Sequence, residues 1–227
     1  MNIIKKISAA FTGLVLLSTS AMSDSANFAG PYVAVQASAA GIELDGQYND
    51  PTEAKPKSDA TPGMIGTFGS IQAGYNIPLS SEVFMTVGGS YTPTGDASFD
   101  AKGFTGTAAT AQKTVLEISD LTEIFIEPSF MVSSNAAVFA HAGYSEGEIA
   151  VSGDRVVNAT LDLKGTNLSA GIKLLTDGGM FLKGEAGITS YDTINIKSIT
   201  DTAGGTTATA KGDPTLAYGA ITVGYKF

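Results

Sequence analysis

The last seven residues of the chain, Ile221-Thr-Val-Gly-Tyr-Lys-Phe227, alternate large apolar side chains with polar or small ones. The same rhythm occurs in three earlier segments, Ile71-Gln-Ala-Gly-Tyr-Asn-Ile77, Ile126-Glu-Pro-Ser-Phe-Met-Val132 and Leu168-Ser-Ala-Gly-Ile-Lys-Leu174. Successive side chains of a β-strand point to opposite faces, so each segment predicts a strand with one apolar face and one polar face.

Each of the three earlier segments is followed by a short turn and a second strand. The spacing is constant, because the members of each pair are nine positions apart: Tyr75 and Phe84, Phe130 and Phe139, and Ile172 and Phe181. Much longer polar connections lie between these hairpins, near residues 45–66, 92–113, 146–160 and 192–213. With a leading strand near residues 31–44, the pattern predicts eight strands.

The alternation of short turns and long connections favours a closed barrel over a soluble β-sandwich. Most of the predicted strands reach the 9–11 residues that cross a bilayer as a tilted strand. Lipid offers no hydrogen bonds to a free sheet edge, so a membrane sheet must close on itself. We therefore predict an all-β fold, an eight-stranded antiparallel up-and-down transmembrane β-barrel with short periplasmic turns and long extracellular loops.

The first 21 residues have the composition of a secretory signal. Lys5 and Lys6 precede an apolar stretch from Ile7 to Leu17, and small residues follow up to Ala21. We predict that residues 1–21 are removed and that residues 22–227 form the barrel.

Composition excludes several classes of function. Of the 227 residues, 22 are acidic and 13 are basic, giving a formal net charge of -9, which argues against a nucleic-acid partner. The chain has no Cys and one His, so Cys-based and multi-His metal sites are excluded. We expect no metal and no cofactor.

Charged residues recur at the inward positions of the predicted strands. An eight-stranded barrel encloses only enough space for side chains, so these charges must pair with one another. Pairing the strands about their turns sets Glu127 opposite His141 and Lys173 opposite Lys183. We predict an ionic plug in the short-turn half of the barrel, formed by Glu117, Glu123, Glu127, His141, Lys173, Lys183, Glu185 and Lys226.

Apolar residues occupy the outward positions. On the terminal strand these are Ile221, Val223, Tyr225 and Phe227, which we expect to face lipid. Aromatic side chains gather at both interfaces of a membrane barrel, and we predict such a girdle from Tyr91, Phe130 and Tyr144.

Several motifs resemble a known family. They are Gly30-Pro31-Tyr32-Val33, Ile126-Glu127-Pro128, Val138-Phe139-Ala140-His141-Ala142-Gly143-Tyr144, Phe181-Leu182-Lys183-Gly184-Glu185 and Val223-Gly224-Tyr225-Lys226-Phe227. Together they resemble the small outer-membrane β-barrels of the opacity type and the OmpA-like type, often called the porin family. His141 stands where relatives usually carry Lys, and Ala186 stands where they often carry Tyr.

The resemblance implies a structural and surface-display role in the outer membrane of a Gram-negative bacterium. It also implies that the barrel assembly machinery reads the terminal aromatic strand. We expect a monomer that contacts outer-membrane lipid and lipopolysaccharide; the sequence does not define a ligand for the loops.

Two other functions remain open at this stage. A narrow porin for small solutes or ions would need a water path through the charged interior. A lipid-modifying enzyme would need His141 and Ser145 on the outer face, whereas the strand phase places both inside. We therefore expect no catalytic site.

Overall fold

The computed structural model describes residues 24–49, 57–58, 63–93, 97–102, 113–153, 157–200 and 206–227. Residues 1–21, predicted to be the export signal, lie outside the described residues. The described chain forms one antiparallel sheet and a short 3-10 helix, Ser25–Phe28. The strands are β1 (Gly30–Asn49), β2 (Lys57–Ser58), β3 (Gly63–Pro78), β4 (Val83–Thr92), β5 (Ala97–Lys102), β6 (Lys113–Ser133), β7 (Ala136–Gly153), β8 (Ala159–Leu175), β9 (Met180–Tyr191), β10 (Ile194–Thr200) and β11 (Thr206–Lys226).

Eight long strands of the described chain close into a barrel. They are β1, β3, β4, β6, β7, β8, β9 and β11, each paired with its neighbours, and β11 pairs with β1 from Tyr32↔Lys226 to Asn49↔Thr209. Of the shorter strands, β5 pairs with β6 where β4 ends, and β10 pairs with β11 where β9 ends. The predicted eight-stranded antiparallel barrel is confirmed.

The stagger of the strands fixes the width of the barrel. The row of paired residues that starts at Val33 returns to β1 at Glu43, ten residues farther along, by way of Ala73, Gly89, Ile124, Tyr144, Thr166, Ser190 and Thr215. A shift of ten residues along a strand corresponds to about 33 Å, and the distance across eight paired strands is about 38 Å. The strands are therefore tilted by roughly 40° from the barrel axis. A barrel of this size holds side chains and little else.

The strands extend farther than the sequence pattern predicted. β7 runs to Gly153, inside the predicted connection 146–160, and β10 and β11 occupy much of the predicted connection 192–213. In these extensions the polarity of the two faces is exchanged. On β7, Glu146 and Glu148 are exposed outside while Ile149 and Val151 are buried inside. The predicted connections were therefore too long. Strands were predicted from apolar outer faces, and these extensions have polar outer faces.

A β-bulge interrupts β6 between its two halves. The pairing with β7 shifts between Ser119 and Thr122, and Asp120 adopts a positive φ of 50°. Asp tolerates this left-handed conformation better than most residues. The bulge reverses which positions face inward, so Ile118, 3% exposed, lies in the interior beyond it.

Apolar side chains fill both ends of the barrel interior. The cluster at the short-turn end, here called the lower cluster, contains Phe28, Tyr32, Ala34, Phe84, Met131, Ala137, Leu175 and Phe181. The cluster at the long-loop end, here called the upper cluster, contains Ala40, Ile42, Ile118, Ile149, Val151, Leu163, Tyr191, Ile194, Ile196 and Leu216. No helix among the described residues is long and apolar enough to span a membrane.

Candidate functional site

The centre of the barrel interior is organised around the carboxylate of Glu127, which is 1% exposed. Lys173 on β8 and Lys183 on β9 are direct cross-strand partners. The Nζ atom of Lys173 lies 2.7 Å from Glu127 Oε1, and that of Lys183 lies 2.7 Å from Glu127 Oε2. One carboxylate thus lies between two neighbouring ammonium groups and reduces the repulsion between them.

His141 links Glu127 to a second carboxylate. Its Nε2 atom lies 3.2 Å from Glu123 Oε1, and its Nδ1 atom lies 3.5 Å from Glu127 Oε2. The amide of Asn167 donates a second hydrogen bond to Glu123 Oε1, at 2.8 Å. The imidazole therefore lies between two acids on the same strand.

Glu185 completes the group. Its Oε2 atom lies 3.0 Å from Lys183 Nζ, and its Oε1 atom accepts a 2.6 Å hydrogen bond from Gln36 Nε2. Three carboxylates, two ammonium groups and one imidazole thus form a connected cluster, here called the charge cluster, whose members are Glu123, Glu127, His141, Lys173, Lys183 and Glu185. A protonated imidazole brings its formal charge to zero, which reduces the cost of burying it.

Aromatic rings enclose the two lysines on the short-turn side. The ring centroids of Tyr32, Phe84, Phe139 and Phe181 lie 5.4 to 5.9 Å from Lys173 Nζ. Lys183 Nζ lies 4.6 Å from the ring centroid of Phe139. The negative faces of aromatic rings attract cations, so this layer stabilises the ammonium groups and also excludes water.

Inward-facing glycines provide the space for these large side chains. A Cβ atom at Gly143 would lie 2.8 Å from Cδ of Glu123, and one at Gly88 would lie 2.7 Å from the ring of Phe125. Both distances are shorter than real Cβ contacts allow. The glycines that interrupt the strand pattern therefore mark where large side chains such as Glu123 and Phe125 cross the lumen.

A small cavity lies on the long-loop side of the charge cluster. Its volume is about 50 Å³, and its lining includes Gln36, Glu123, Asn167, Tyr191 and Tyr218. This is room for roughly four water molecules. Tyr191 also belongs to the upper cluster, which fills the interior beyond the cavity.

Two predicted members of the plug do not join the charge cluster. The bulge in β6 places Ile118 inside, so its neighbour Glu117 lies on the outer face, and the prediction for Glu117 is corrected accordingly. Lys226 lies at the rim of the short-turn end, where its Nζ atom donates a 2.8 Å hydrogen bond to the backbone oxygen of Asn27. Its position at the end of β11 keeps it away from the carboxylates of the cluster.

The outer face carries the apolar residues predicted for it. Ile221, Val223, Tyr225 and Phe227 are all exposed there. The outer face also holds Tyr91 and Tyr144, with Phe130 half-buried near the short turns. The two tyrosine hydroxyls donate to acids just beyond them, Tyr91 to Asp120 at 2.8 Å and Tyr144 to Glu146 at 3.3 Å.

The charge cluster offers neither a lipid-facing nucleophile nor a free metal site. His141 and Ser145 are 4% and 3% exposed and face inward. Glu127, His141 and Glu185 could present three ligand atoms within 4.8 Å of one another. However, ammonium groups already lie 2.7 to 3.0 Å from both carboxylates, and they would repel a metal ion. The arrangement is that of an ion-pair network.

The short helix Ser25–Phe28 was not identified from the sequence. It lies across the short-turn opening, with Phe28 1% exposed in the lower cluster. No periodic pattern extends over these four residues. The only sequence signal is an isolated aromatic residue just before the first strand.

A closed antiparallel barrel with an apolar outer band and a charged, filled interior defines an integral outer-membrane protein. The chain belongs to the family described as outer membrane protein beta-barrel domain, whose profile matches residues 9–227.

Solved structures similar to this chain are outer-membrane barrels. Ail, the attachment invasion locus protein of Yersinia pestis, is 12% identical with a TM-score of 0.40, covering 88% of this chain and 99% of its own. Neisserial surface protein A is 15% identical with a TM-score of 0.39, covering 86% and 97%. The outer membrane protease OmpT from Escherichia coli is 8% identical with a TM-score of 0.41, covering 87% and 97%. No functionally curated protein matches the sequence.

Proposed function

We propose that the protein is a non-conducting barrel of the Gram-negative outer membrane that anchors and displays its long loops at the cell surface. The observation that carries this proposal is the filled interior. Three successive layers occupy the lumen: the lower cluster, the charge cluster and the upper cluster. A hydrated ion would have to displace packed aromatic rings at one end and packed aliphatic side chains at the other.

The apolar layers add to the barrier that the charges create. Phe84, Phe139 and Phe181 are at most 5% exposed, and they lie beside the ammonium group of Lys173. A dry constriction of this kind opposes ion entry by excluding water. The charge cluster then contributes register and specificity, because each of its groups requires a partner on another strand.

The remaining parts of the proposal concern export and assembly. Residues 1–21 direct export and are removed. The outward residues of the terminal strand, Ile221, Val223, Tyr225 and Phe227, form the assembly signal and then contact lipid. Lipopolysaccharide surrounds the barrel above the aromatic girdle, and the protein works as a monomer.

Planar-bilayer recording tests the closed lumen directly. The protein is refolded, its folding is checked by heat-modifiable migration on a denaturing gel, and it is inserted at known amounts. We expect no unitary current steps at 100 mV in molar salt. Reproducible steps from the folded protein, absent from a mock-refolded sample, would refute the closed lumen.

A narrow pore is the second candidate, and the cavity of about 50 Å³ is the observation that favours it. The cavity has room for a few water molecules, and polar side chains form part of its lining, as in a segment of a pore. For conduction, it would have to connect past the charge cluster and through both apolar clusters. Current steps in the same recording, with a size that depends on Glu123, would support this candidate.

A further inference from the structure

The segment that precedes β1 closes the short-turn opening of the barrel. Phe28 inserts its ring into the lower cluster and stacks on Phe84, with ring centroids 4.9 Å apart and an interplanar angle of 13°. The amide of Asn76, itself 3% exposed, donates a 2.9 Å hydrogen bond to the backbone oxygen of Phe28. The ring is therefore held both by packing and by a buried polar contact.

Polar contacts tie the same segment to separate parts of the rim. The backbone N–H of Ser25 donates to the oxygen of Ser81 in the β3–β4 turn at 2.9 Å. The amide of Asn27 donates to the oxygen of Ser134 in the β6–β7 turn at 3.0 Å, and the oxygen of Asn27 accepts from Lys226 at the end of β11 at 2.8 Å. These three elements come from distant parts of the sequence.

The contact between Asn27 and Lys226 requires a closed barrel. Lys226 is paired with Tyr32 across the junction of β11 and β1, so its ammonium group reaches Asn27 only after the last strand has joined the first. The segment thus contacts the β11–β1 junction, and it also contacts the β3–β4 and β6–β7 turns.

We propose that residues 24–28 form a clasp, a segment that docks when the barrel closes and controls access to the lumen from the short-turn side. The ring of Phe28 blocks the opening and is here called the stopper. The hydrogen bonds that join Ser25 and Asn27 to the rim are here called the ties. Removing the stopper opens the short-turn half of the interior to water, while the charge cluster keeps the long-loop half closed.

Cysteine accessibility tests the clasp, because the natural chain contains no Cys. Ser129→Cys places a thiol at an inward position, 3% exposed, on the short-turn side of Glu127. Ser145→Cys places one at a position, also 3% exposed, that is paired with Glu123 on the other side of the charge cluster. Asp177→Cys, in the exposed β8–β9 turn, sets the rate for a fully accessible thiol.

Each thiol is labelled with a small charged methanethiosulfonate in the refolded barrel, with and without Phe28→Ala. We expect Phe28→Ala to raise the labelling rate at position 129 at least tenfold and to leave the rate at position 145 unchanged. Phe28→Leu, which refills most of the space, should restore protection. An unchanged rate at position 129 would overturn the proposal, as would equal acceleration at both positions, because then Phe28 would support the whole barrel and not the opening.

A gentler variant keeps the test decisive if Phe28→Ala folds poorly. Asn27→Ala removes one tie and no interior packing, since the side chain of Asn27 is exposed. We expect a smaller acceleration, severalfold, confined to position 129. No acceleration there would show that the ties do not hold the stopper. The bilayer recording is independent of this result, since a lumen can be opened at one end and still not conduct.

Discussion

Replacing Glu127 by Gln removes the one negative charge that two buried lysines share. The amide keeps the size of the side chain and part of its hydrogen bonding, so packing changes little. Lys183 retains Glu185 at 3.0 Å, and His141 retains Glu123 at 3.2 Å. Among the described residues, Lys173 contacts no other carboxylate, so the substitution leaves its ammonium group, at 3% exposure, without an anion.

The expected loss of stability follows from two opposing contributions. Breaking a buried ion pair by removing one partner costs about 3–5 kcal/mol. The four aromatic rings within 6 Å of Lys173 Nζ offset part of this, by roughly 1–2 kcal/mol for a desolvated cation. We therefore expect Glu127→Gln to lower the free energy of unfolding by about 1–4 kcal/mol.

Equilibrium unfolding in urea, with the barrel in lipid vesicles, measures this change. The chain has no Trp, so far-UV circular dichroism or gel migration replaces tryptophan fluorescence as the signal. Glu146→Gln is the matched control. Its carboxylate pairs with Lys164 at 3.3 Å, but both side chains are about half exposed, so water screens the pair and we expect no resolvable change.

Equal behaviour of the two variants would refute the assigned role of the charge cluster. A second substitution sharpens the result. Glu127→Leu combined with Lys173→Met removes both charges together, and well-packed apolar replacements of a buried pair are often neutral or stabilising. The double variant should therefore be more stable than Glu127→Gln alone; a loss larger than that of the single variant would contradict the reasoning.

Two further substitutions test the interior and the outer face. Gly143→Ala should destabilise the barrel by about 1–3 kcal/mol, because its methyl group overlaps the carboxyl group of Glu123. Gly178→Ala, which meets nothing within 4 Å, should be neutral in the same urea titration, and equal losses would count against the packing argument. Ile221→Lys should cost about 2–4 kcal/mol in vesicles, since it places a charge against hydrocarbon. Thr160→Lys, exposed beyond the apolar band, should fold with unchanged stability; a matching loss there would show that the band is misplaced.

The barrel itself is predictable from the sequence because lipid imposes the two-residue alternation. Outward residues such as Ile172 and Val223 must be apolar, and the position of each short turn then sets the pairing of the two strands that flank it. That pairing sets Lys173 opposite Lys183 and so places two cations next to each other. A nearby acid follows from electrostatics alone.

The same reasoning fails where lipid no longer acts. Beyond Tyr144 the outer face meets water, so the apolar residues move to the inside and the rule reverses. On β6 the reversal is accompanied by the bulge at Asp120, which shifts Glu117 outward and Ile118 inward. Local sequence contains no clear signal for a bulge, since Asp is common in loops as well.

The clasp could not be predicted for a different reason. Its contacts join Asn27 to Ser134 and to Lys226, which are separated from it by more than one hundred residues. Contacts of this kind depend on the closed three-dimensional rim and leave no periodic trace in the sequence.

The barrel continues beyond the apolar band, and the upper cluster fills its interior there. From Tyr144, at the edge of the apolar band, β7 continues for nine residues to Gly153, which at a tilt of roughly 40° is a rise of about 23 Å. The headgroup layer occupies only about 5–8 Å of that height. The described end of β7 therefore lies well clear of the lipid. Side chains on the outer face of this extension can therefore vary without altering the charge cluster or the apolar band.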